Sequence, residues 1–303
     1  MASREGPPEL DLLVTERRAG ADDYRGRSTR ELVELMNRGD TTVPAVVGGA
    51  AEAIAAVIEA TVERLRRGGR LIYAGAGSSG RTAALDADEC EATFSTEPGQ
   101  VVALVAGAEL ASALEREAAE DDRGAGRRAV ADLRVAESDI VVAVSASGRT
   151  PYALGALDAA RAAGALTACV VSAPGSPLAD LATHEIQVVV GPEFVAGSTR
   201  LRAATAQKLV LNTISTVSMI RLGKTFGDLM VDVRASNEKL KARARRVVSL
   251  ATGVSAEEAE RALAACDGRA KVAILSLLAK IDADAARGRL ERAKGDLGAA
   301  LSP

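Results

Sequence analysis

Five short apolar runs, each bounded by Gly, Asp or Ser, constrain the fold of this chain more than any other feature. Their residues are continuously apolar rather than alternating, which is typical of strands covered on both faces and therefore of a parallel sheet. Helical patterns fill the intervals. The runs lie at 71–74, 101–106, 139–144, 166–172 and 186–190, and the helical segments at about 79–89, 108–121, 125–133 and 151–163. The sequence predicts an α/β fold with a doubly wound parallel sheet of about five strands.

Two of these predicted strands run directly into loops rich in glycine and serine. The first loop, 75–81, reads Gly-Ala-Gly-Ser-Ser-Gly-Arg, and the second, 145–150, reads Ser-Ala-Ser-Gly-Arg-Thr. Each is expected to open a helix, whose free N–H groups and neighbouring hydroxyls can bind an anion that glycine lets the backbone approach. Because the carboxyl ends of parallel strands meet at one sheet edge, the pair predicts a shared phosphate pocket.

The first loop also spells Gly-x-Gly-x-x-Gly through Gly75, Gly77 and Gly80, which keeps a dinucleotide site open as an alternative. Such a site uses an acidic residue at the end of the second strand. Here that strand ends at Gly107, and Glu109 comes late. A dinucleotide site would also leave the second serine loop unexplained. The sequence therefore favours phosphate binding by both loops.

The regions outside the sheet have their own signals. Residues 1–27 are polar and are expected to form an arm, after which Ser28 and Glu31 fit a capping box that opens a short helix. Pro44 suits the first turn of a long helix to about Leu65. We place the N-terminal arm and helix at 1–45, the sheet domain at 46–223 and a small all-α C-terminal unit at 237–303.

Toward the C-terminus the sequence predicts further helices. The stretch 197–199 is expected to cap a long helix to about Leu222, which is apolar almost all round in its later half and therefore buried or a subunit contact. A junction is expected at 224–237. Ser255 and Glu258 then fit a second capping box, and helical patterns follow it.

Composition disfavours several classes of function. Aromatic residues make up only 2% of the 303 residues, so few side chains are available to stack on bases or sugar faces. The formal net charge is −3 and no block of Lys or Arg stands out, which argues against nucleic-acid binding. Because neither a signal-peptide pattern nor a bilayer-spanning apolar stretch is evident, we expect a cytoplasmic chain without membrane contact.

The titratable residues narrow the chemistry further. The three cysteines lack metal-ligand spacing and are expected to be reduced, with Cys90 in a packing role. His184 is the single histidine and is expected in a loop before a strand, which disfavours histidine triads and His-rich metal sites. No metal site and no cofactor are predicted. Carboxylates remain as the candidates for acid–base catalysis.

Two runs of acidic residues stand out, at 86–91 and at 115–122. A charge run is typical of a solvated helix face, yet like charges at close range can also raise one carboxyl pKa toward a catalytic value. Arg81 and Arg149 follow the two loops. Phosphate binding, neutralisation of the acids and a plain surface position all stay open for these arginines.

Both serine loops resemble those of the sugar-isomerase (SIS) domain, which occurs in enzymes and regulators that bind phosphosugars. The stretch 191–201, Gly-Pro-Glu-Phe-Val-Ala-Gly-Ser-Thr-Arg-Leu, is similar to the signature shared by N-acetylmuramic acid 6-phosphate etherases and the glucokinase regulatory protein. The stretches 205–212, 226–233 and 236–240 also resemble the etherase family. The resemblance covers essentially the whole chain from Thr15.

An etherase of this family cleaves the D-lactyl ether of N-acetylmuramate 6-phosphate to give N-acetylglucosamine 6-phosphate and D-lactate, in the recycling of peptidoglycan. The resemblance implies elimination followed by hydration, without a metal or redox cofactor, in a homodimer. It places the family's acid glutamate, found in a Glu-Cys pair, at Glu89, and its second catalytic glutamate, found in Glu-x-x-Glu-Asp, at Glu120. The hydroxyls implied to hold the 6-phosphate are those of Ser78, Ser79, Ser145, Ser147 and Thr150.

The chain departs from the family pattern near the first glutamate and in the signature region. Asp88 replaces a usual Ser, Glu91-Ala92 replaces two prolines, and Arg202 and Ala204 replace a usual Lys and Gly. Two alternatives stay open: a non-catalytic phosphosugar-sensing regulator of the glucokinase regulatory protein type, and an aldose–ketose sugar-phosphate isomerase. The presence of both glutamates favours the etherase, because a sensor does not need the pair.

Overall fold

A computed structural model describes residues 13–20, 24–232 and 238–302 of the chain. Its main sheet has the strands β1 (Leu71–Gly75), β2 (Val101–Val105), β3 (Ile140–Val144), β4 (Leu166–Val171) and β5 (His184–Gln187). All neighbours pair in parallel, in the order β2-β1-β3-β4-β5. The predicted five-stranded parallel sheet is confirmed. The fifth strand lies earlier than the predicted 186–190, because it begins at His184.

Helices cover this sheet on both faces, which explains why its inner strands are continuously apolar. Successive residues such as Leu71, Ile72 and Tyr73 are all fully buried although they point to opposite faces. The helices of this region are α1 (Thr29–Asp40), α2 (Val43–Gly49), α3 (Ala51–Arg66), α4 (Gly77–Phe94), α5 (Ala113–Glu120), α6 (Arg123–Asp132), α7 (Pro151–Ala162), α8 (Pro177–Leu181) and α9 (Arg202–Arg221). Helices α6, α7 and α8 bury one apolar core with β1, β3 and β4.

The N-terminal helices follow the predicted signals in part. Ser28 and Glu31 form the predicted capping box, each side chain bonded to the backbone N–H of the other residue. The single long helix predicted from Pro44 is wrong, because α2 ends at Gly49 and α3 starts at Ala51. Two consecutive glycines weaken the helix there, and the chain bends by 58° at the break.

The described residues divide into two units, and the division cuts through α4 and α9. The first unit contains the described residues up to Ala87 together with Val101–Ile214, and the second contains Asp88–Gln100 together with the described residues from Ser215 onward. The boundaries suggested by the sequence, at 45, 223 and 237, stay predictions.

The second unit is mainly helical, as the sequence predicts. A short antiparallel hairpin, β6 (Thr225–Phe226) and β7 (Leu229–Met230), lies in the predicted junction, and Ser255 caps α11 by accepting the N–H of Glu258 at 3.2 Å. Residues 233–237, which include part of the etherase-like stretches, lie outside the described residues. The helices are α10 (Glu238–Thr252), α11 (Ala256–Ala265), α12 (Ala270–Ala279), α13 (Ala283–Arg292) and α14 (Leu297–Leu301).

A buried lysine organises the second unit. The ammonium of Lys271, on α12, donates to Asp232 Oδ2 at 2.6 Å and to the carbonyl oxygens of Gly295 and Gly223 at 2.8 and 3.0 Å. All three of its N–H donors are therefore used inside the protein. Lys271 is thus a structural anchor between α12 and the segments around Gly223 and Gly295.

No single helix in the described ranges is long and apolar enough to cross a membrane; one bent pair, Thr29–Gly49 with Ala51–Arg66, reaches that length and composition only when joined.

Candidate active site

Both hydroxyl-rich loops leave the sheet at the same edge, from adjacent strands. Gly75, the last residue of β1, lies beside Val144, the last residue of β3. In a sheet of order 2-1-3-4-5 the chain reverses its direction of winding between β1 and β3, and ligands bind outside the carboxyl ends of the strands at that point. The structure therefore brings the two predicted loops together at the place where such a sheet binds ligands.

The first loop becomes the first turn of α4, and it packs tightly against the sheet. A Cβ at Gly80 would lie 2.8 Å from the carbonyl oxygen of Gly75 and 2.8 Å from Val105 Cγ1. Only glycine fits there without displacement. The half-buried Ser78 and Ser79 thus stand at the N-terminus of an 18-residue helix, where N–H groups and the helix dipole favour an anion.

The second loop is held by hydrogen bonds among its own hydroxyls. The buried Ser145 Oγ lies 2.8 Å from Thr150 Oγ1 and accepts the N–H of Gly148 at 3.1 Å, while Ser147 Oγ accepts the N–H of Arg149 at 3.2 Å. Thr150 is the N-cap residue of α7 and its side chain makes no capping bond. The hydroxyls are therefore clustered at a helix start whose N–H groups are not capped by a side chain.

Glu120 lies against the first loop. It is the last residue of α5, and a Cβ at Gly77 would come within 2.6 Å of its Oε1. Burial of this half-buried carboxyl raises the pKa of Glu120; the charge of Arg81 opposes the shift, and Glu117 and Asp121 add to it. A carboxylate with a raised pKa is a stronger base than an ordinary glutamate, which suits proton abstraction.

Arg81 bonds to the first loop, and its charge acts on the Glu120 carboxyl. Its Nη2 donates to Ser78 Oγ at 3.0 Å, and Ser78 directly follows Gly77, on which Glu120 rests. The guanidinium is exposed and forms no ion pair with any carboxylate of the described residues. A serine hydroxyl, an arginine and a carboxyl of raised pKa thus share the N-terminus of α4.

Glu89 lies farther along α4. It is exposed and precedes Cys90, which is 2% exposed and has the packing position that the sequence predicts. It follows Ser78 by eleven positions in the sequence. Glu89 belongs to the second unit and Glu120 to the first, so each is described separately.

The acidic run at 86–91 divides into two kinds of side chain. Asp88, Glu89 and Glu91 are exposed, as expected for a solvated face. Asp86 is 3% exposed, and it accepts hydrogen bonds from the hydroxyl of Tyr73 at 2.8 Å and from Nδ2 of Asn212 at 2.6 Å. Asp86 therefore joins α4 to β1 and α9 from inside the protein.

Comparisons with known proteins identify the family. The chain matches the profile of the glucokinase regulatory protein N-terminal SIS domain over residues 52–161 and that of the SIS domain over 128–215. An N-acetylmuramic acid 6-phosphate etherase from Rubrobacter xylanophilus is 56% identical over 293 residues, which are 96% of this chain and 97% of the relative. One from Streptomyces avermitilis is 53% identical over 295 residues, 97% and 95% of the two chains.

The chain belongs to the N-acetylmuramic acid 6-phosphate etherase family. Among solved structures, a phosphoheptose isomerase from Neisseria gonorrhoeae is 16% identical with a TM-score of 0.49, covering 63% of this chain and 98% of that one. The two profile matches and the etherase relatives confirm the etherase family and the SIS domain inferred from the sequence.

The family signature at 191–201 has a structural role in this etherase. The fully buried Glu193 accepts the N–H groups of Arg202 and Ala203 at 2.9 and 3.0 Å, so its carboxylate caps α9. The cap predicted from 197–199 is therefore wrong. Phe194 stacks on Tyr24 with ring centroids 4.7 Å apart, which ties the signature to the N-terminal arm.

Two polar groups of the etherase near the loops were not among the predicted site residues. Arg149 has a buried Nε without a hydrogen-bond partner, and Ser172, directly after β4, has a buried hydroxyl without one. Both groups are therefore available to donate a hydrogen bond at this end of the sheet. Arg149 was left open to phosphate binding by the sequence, whereas the only sequence signal of Ser172 is its position after a predicted strand.

Other groups fall outside this edge. His184 begins β5 rather than preceding it, and the described residues contain no cluster of three or more His, Cys, Asp or Glu able to hold a metal ion. A cavity of about 1000 Å³ lies in the second unit and is lined by segments such as 267–272. None of the predicted site residues lines it.

Proposed function

We propose that this chain cleaves the D-lactyl ether of N-acetylmuramate 6-phosphate, releasing D-lactate and leaving N-acetylglucosamine 6-phosphate. The observation that carries the proposal is the half-buried carboxyl of Glu120, held against Gly77 beside two hydroxyl-rich loops. A phosphate bound at the loops would place a sugar within reach of a carboxyl whose raised pKa makes it a base. The etherase family supplies the reaction to which this arrangement is suited.

The phosphate is proposed to bind at the two helix starts. Ser78 and Ser79 would donate from α4, and Ser147 and Thr150 from the second loop, with Ser145 fixing that loop through its bonds to Thr150 and Gly148. Each hydroxyl can donate one hydrogen bond, and helix N–H groups supply further donors. The unpaired Nε of Arg149 adds a charged donor at the second loop.

The open-chain aldehyde of the sugar acidifies the proton at C2. Glu120 takes this proton, the C2–H electron pair forms the C2–C3 double bond, and the bond between C3 and the ether oxygen breaks. The departing lactate oxygen takes a proton from an acid, for which we propose Glu89 on the strength of its Glu-Cys motif. Water then adds across the double bond and restores a hydroxyl at C3. Glu120 can also position this water.

A second candidate function is a phosphosugar-sensing regulator, which the match to the glucokinase regulatory protein SIS domain favours. Such a protein would use the same two loops without chemistry. Glu120 distinguishes the candidates, because a sensor gains nothing from a carboxyl with a raised pKa beside its ligand. The homodimer and the cytoplasmic location are further proposals that rest on the family resemblance and the sequence.

The deciding experiment is incubation of the purified chain with N-acetylmuramate 6-phosphate and an enzymatic assay for D-lactate, with Glu120→Gln as the control. Release by the wild type and its loss in the variant would support the etherase. Tight binding without release would support the sensor. The assay is run with a chelator and without nicotinamide. Loss of activity in the chelator would indicate a metal site, and a need for nicotinamide would favour the dinucleotide alternative.

A further inference from the structure

The two arginines that follow the loops have different surroundings. Arg149 is half-buried beside the hydroxyl cluster of the second loop, and its Nε is buried without a partner. Arg81 is exposed, bonds to Ser78 Oγ at 3.0 Å and stands beside Glu120. The sequence alone left both arginines open to phosphate binding, charge neutralisation or a surface position.

The proposed substrate carries two anionic groups, a 6-phosphate and the carboxylate of the lactyl ether. Along its carbon chain the carboxylate lies fewer bonds from C2 than the phosphate does. A base that removes the C2 proton therefore has the carboxylate as its nearer anion. Arg81 is the arginine next to that base. It bonds to Ser78, which follows Gly77, and a Cβ at Gly77 would lie 2.6 Å from Glu120 Oε1.

We infer that Arg81 binds the lactyl carboxylate and that Arg149, with the hydroxyls of both loops, binds the 6-phosphate, an assignment that rests on the proposed etherase function. A guanidinium binds a carboxylate through two parallel hydrogen bonds, and Arg81 uses only one donor on Ser78. The assignment makes Arg81 the residue that distinguishes a muramyl sugar from its product, which keeps the phosphate and lacks the carboxylate.

The same contact would couple recognition to catalysis. In the free protein the charge of Arg81 lowers the pKa of Glu120 against the effect of burial. A carboxylate bound to Arg81 would neutralise that charge and strengthen Glu120 as a base. The product and other phosphosugars without a lactyl group would leave Glu120 the weaker base.

The test compares three ligands in the wild type and in Arg81→Met: N-acetylmuramate 6-phosphate, its 3-O-ethyl analogue without the carboxylate, and N-acetylglucosamine 6-phosphate as a competitive inhibitor. We expect Arg81→Met to lower kcat/KM for the first by about 10- to 100-fold, the scale for losing a charged hydrogen bond. The inhibition constant should change by less than about twofold. The ethyl analogue should not share the loss of kcat/KM, because it has no carboxylate to lose and removal of the guanidinium charge makes Glu120 the stronger base. Arg81→Lys should lie between the wild type and Arg81→Met.

Two control variants frame the result. Arg149→Met should weaken all three ligands alike, and Arg127→Met, which removes a surface arginine paired with Asp158, should change none. A rise in the inhibition constant of Arg81→Met comparable to its loss of kcat/KM would make Arg81 a phosphate ligand. An equal loss of kcat/KM with the ethyl analogue would show that Arg81 acts only through Glu120. No loss of kcat/KM with any substrate would show that Arg81 has only a surface position. Each of these outcomes overturns the assignment of Arg81 but not the proposed etherase function. A wild type that forms no product overturns both the assignment and the proposed function.

Discussion

Gly77 makes room for Glu120. A Cβ at position 77 would come within 2.6 Å of Glu120 Oε1, and the backbone of Gly77 has a φ of +53°, in the left-handed region. Both the missing side chain and the backbone conformation therefore require glycine. The start of α4 and the end of α5 meet at this contact, which sets the position of the proposed base.

The first prediction is that Gly77→Ala displaces the Glu120 carboxyl. We expect kcat for lactate release to fall by at least on the order of 100-fold, the usual scale for losing a positioned acid or base. The left-handed backbone adds a stability cost of about 1–2 kcal/mol. Gly68→Ala is the matched control, because Gly68 has φ +81° with nothing within 4 Å of its Cβ position. If both variants keep full activity, the contact does not position the base.

The second prediction concerns the pKa of Glu120. Burial raises its folded-state pKa above the unfolded value, so its contribution to stability is fully present below the unfolded pKa and is lost as pH rises through the folded pKa. Glu120→Gln removes the ionisation. The stability of the variant relative to that of the wild type, measured as the free energy of unfolding in urea, should therefore be greater at neutral than at acidic pH. A difference that does not vary with pH would contradict the raised pKa.

Direct titration gives an independent check on the same group. The Glu120 carboxyl carbon, assigned by comparison with Glu120→Gln, should titrate by NMR above the ordinary range of a glutamate. In Arg81→Met the pKa should rise further, because the lowering effect of the guanidinium is gone. Glu117→Gln should shift it the other way. An unchanged titration in Arg81→Met would separate Arg81 from the carboxyl.

The third prediction separates the two kinds of acid on α4. Asp86→Ala removes the acceptor of the hydrogen bonds from the Tyr73 hydroxyl and the Asn212 amide, so the unfolding free energy should fall by about 1–3 kcal/mol per lost bond. Asp88→Ala, two residues away and exposed, should change it by less than about 0.5 kcal/mol. Chemical denaturation of both variants decides the matter. Equal effects would mean that Asp86 is no more embedded than its neighbour.

Asp86 also shows what the sequence could and could not reveal. The apolar runs predicted four strands almost to the residue, because strands covered on both faces are recognisable by composition alone. Asp86 looked like one acid among several. Yet Ala83, Ala87, Cys90 and Phe94 recur at helical spacing and are buried, and Asp86 falls on the same side of α4. Its partners on β1 and α9 are distant in sequence, so only the fold discloses them.

The candidate site likewise has features that the sequence could predict and features that it could not. Local pattern sufficed for the hydroxyl loops, since both follow strands whose ends meet at one edge. It could not supply the contact of Glu120 with Gly77, which joins residues 43 positions apart. The cap of α9 by Glu193 was missed for a related reason, because serine and threonine at 198–199 fit the local rule and a buried carboxylate from an earlier loop overrides it. The pairing of Glu89 with Glu120 remains a prediction from the family motifs.

The fourth prediction concerns the phosphate loops. Ser147→Ala and Ser79→Ala should each weaken binding of N-acetylglucosamine 6-phosphate by about 1–3 kcal/mol, the scale for losing a hydrogen bond to a charged group. Ser255→Ala is the control, since this serine caps α11 in the second unit. It should cost stability and leave the affinity unchanged. Isothermal titration calorimetry of the three variants measures both ligand affinity and stoichiometry. Unaltered affinity in both loop variants would move the phosphate site elsewhere.

The fifth prediction separates the two glutamates by their place in the reaction. Elimination needs a base at C2 and an acid at the ether oxygen, and proton abstraction does not require the leaving group to depart. If Glu89 is the acid, Glu89→Gln should abolish lactate release yet still exchange the C2 proton with solvent deuterium. If Glu120 is the base, Glu120→Gln should lose exchange and release together. Each loss of release should be at least on the order of 100-fold.

NMR of the substrate in deuterated water, run beside the lactate assay, records both events in one sample. Asp88→Asn is the matched control, because Asp88 is the exposed acid that precedes Glu89 and has no proposed role in the chemistry. It should exchange and release as the wild type does. Full lactate release from Glu89→Gln would show that the acid lies elsewhere. Exchange that survives in Glu120→Gln but not in Glu89→Gln would reverse the two roles, since the residue whose loss stops exchange is the one that takes the C2 proton.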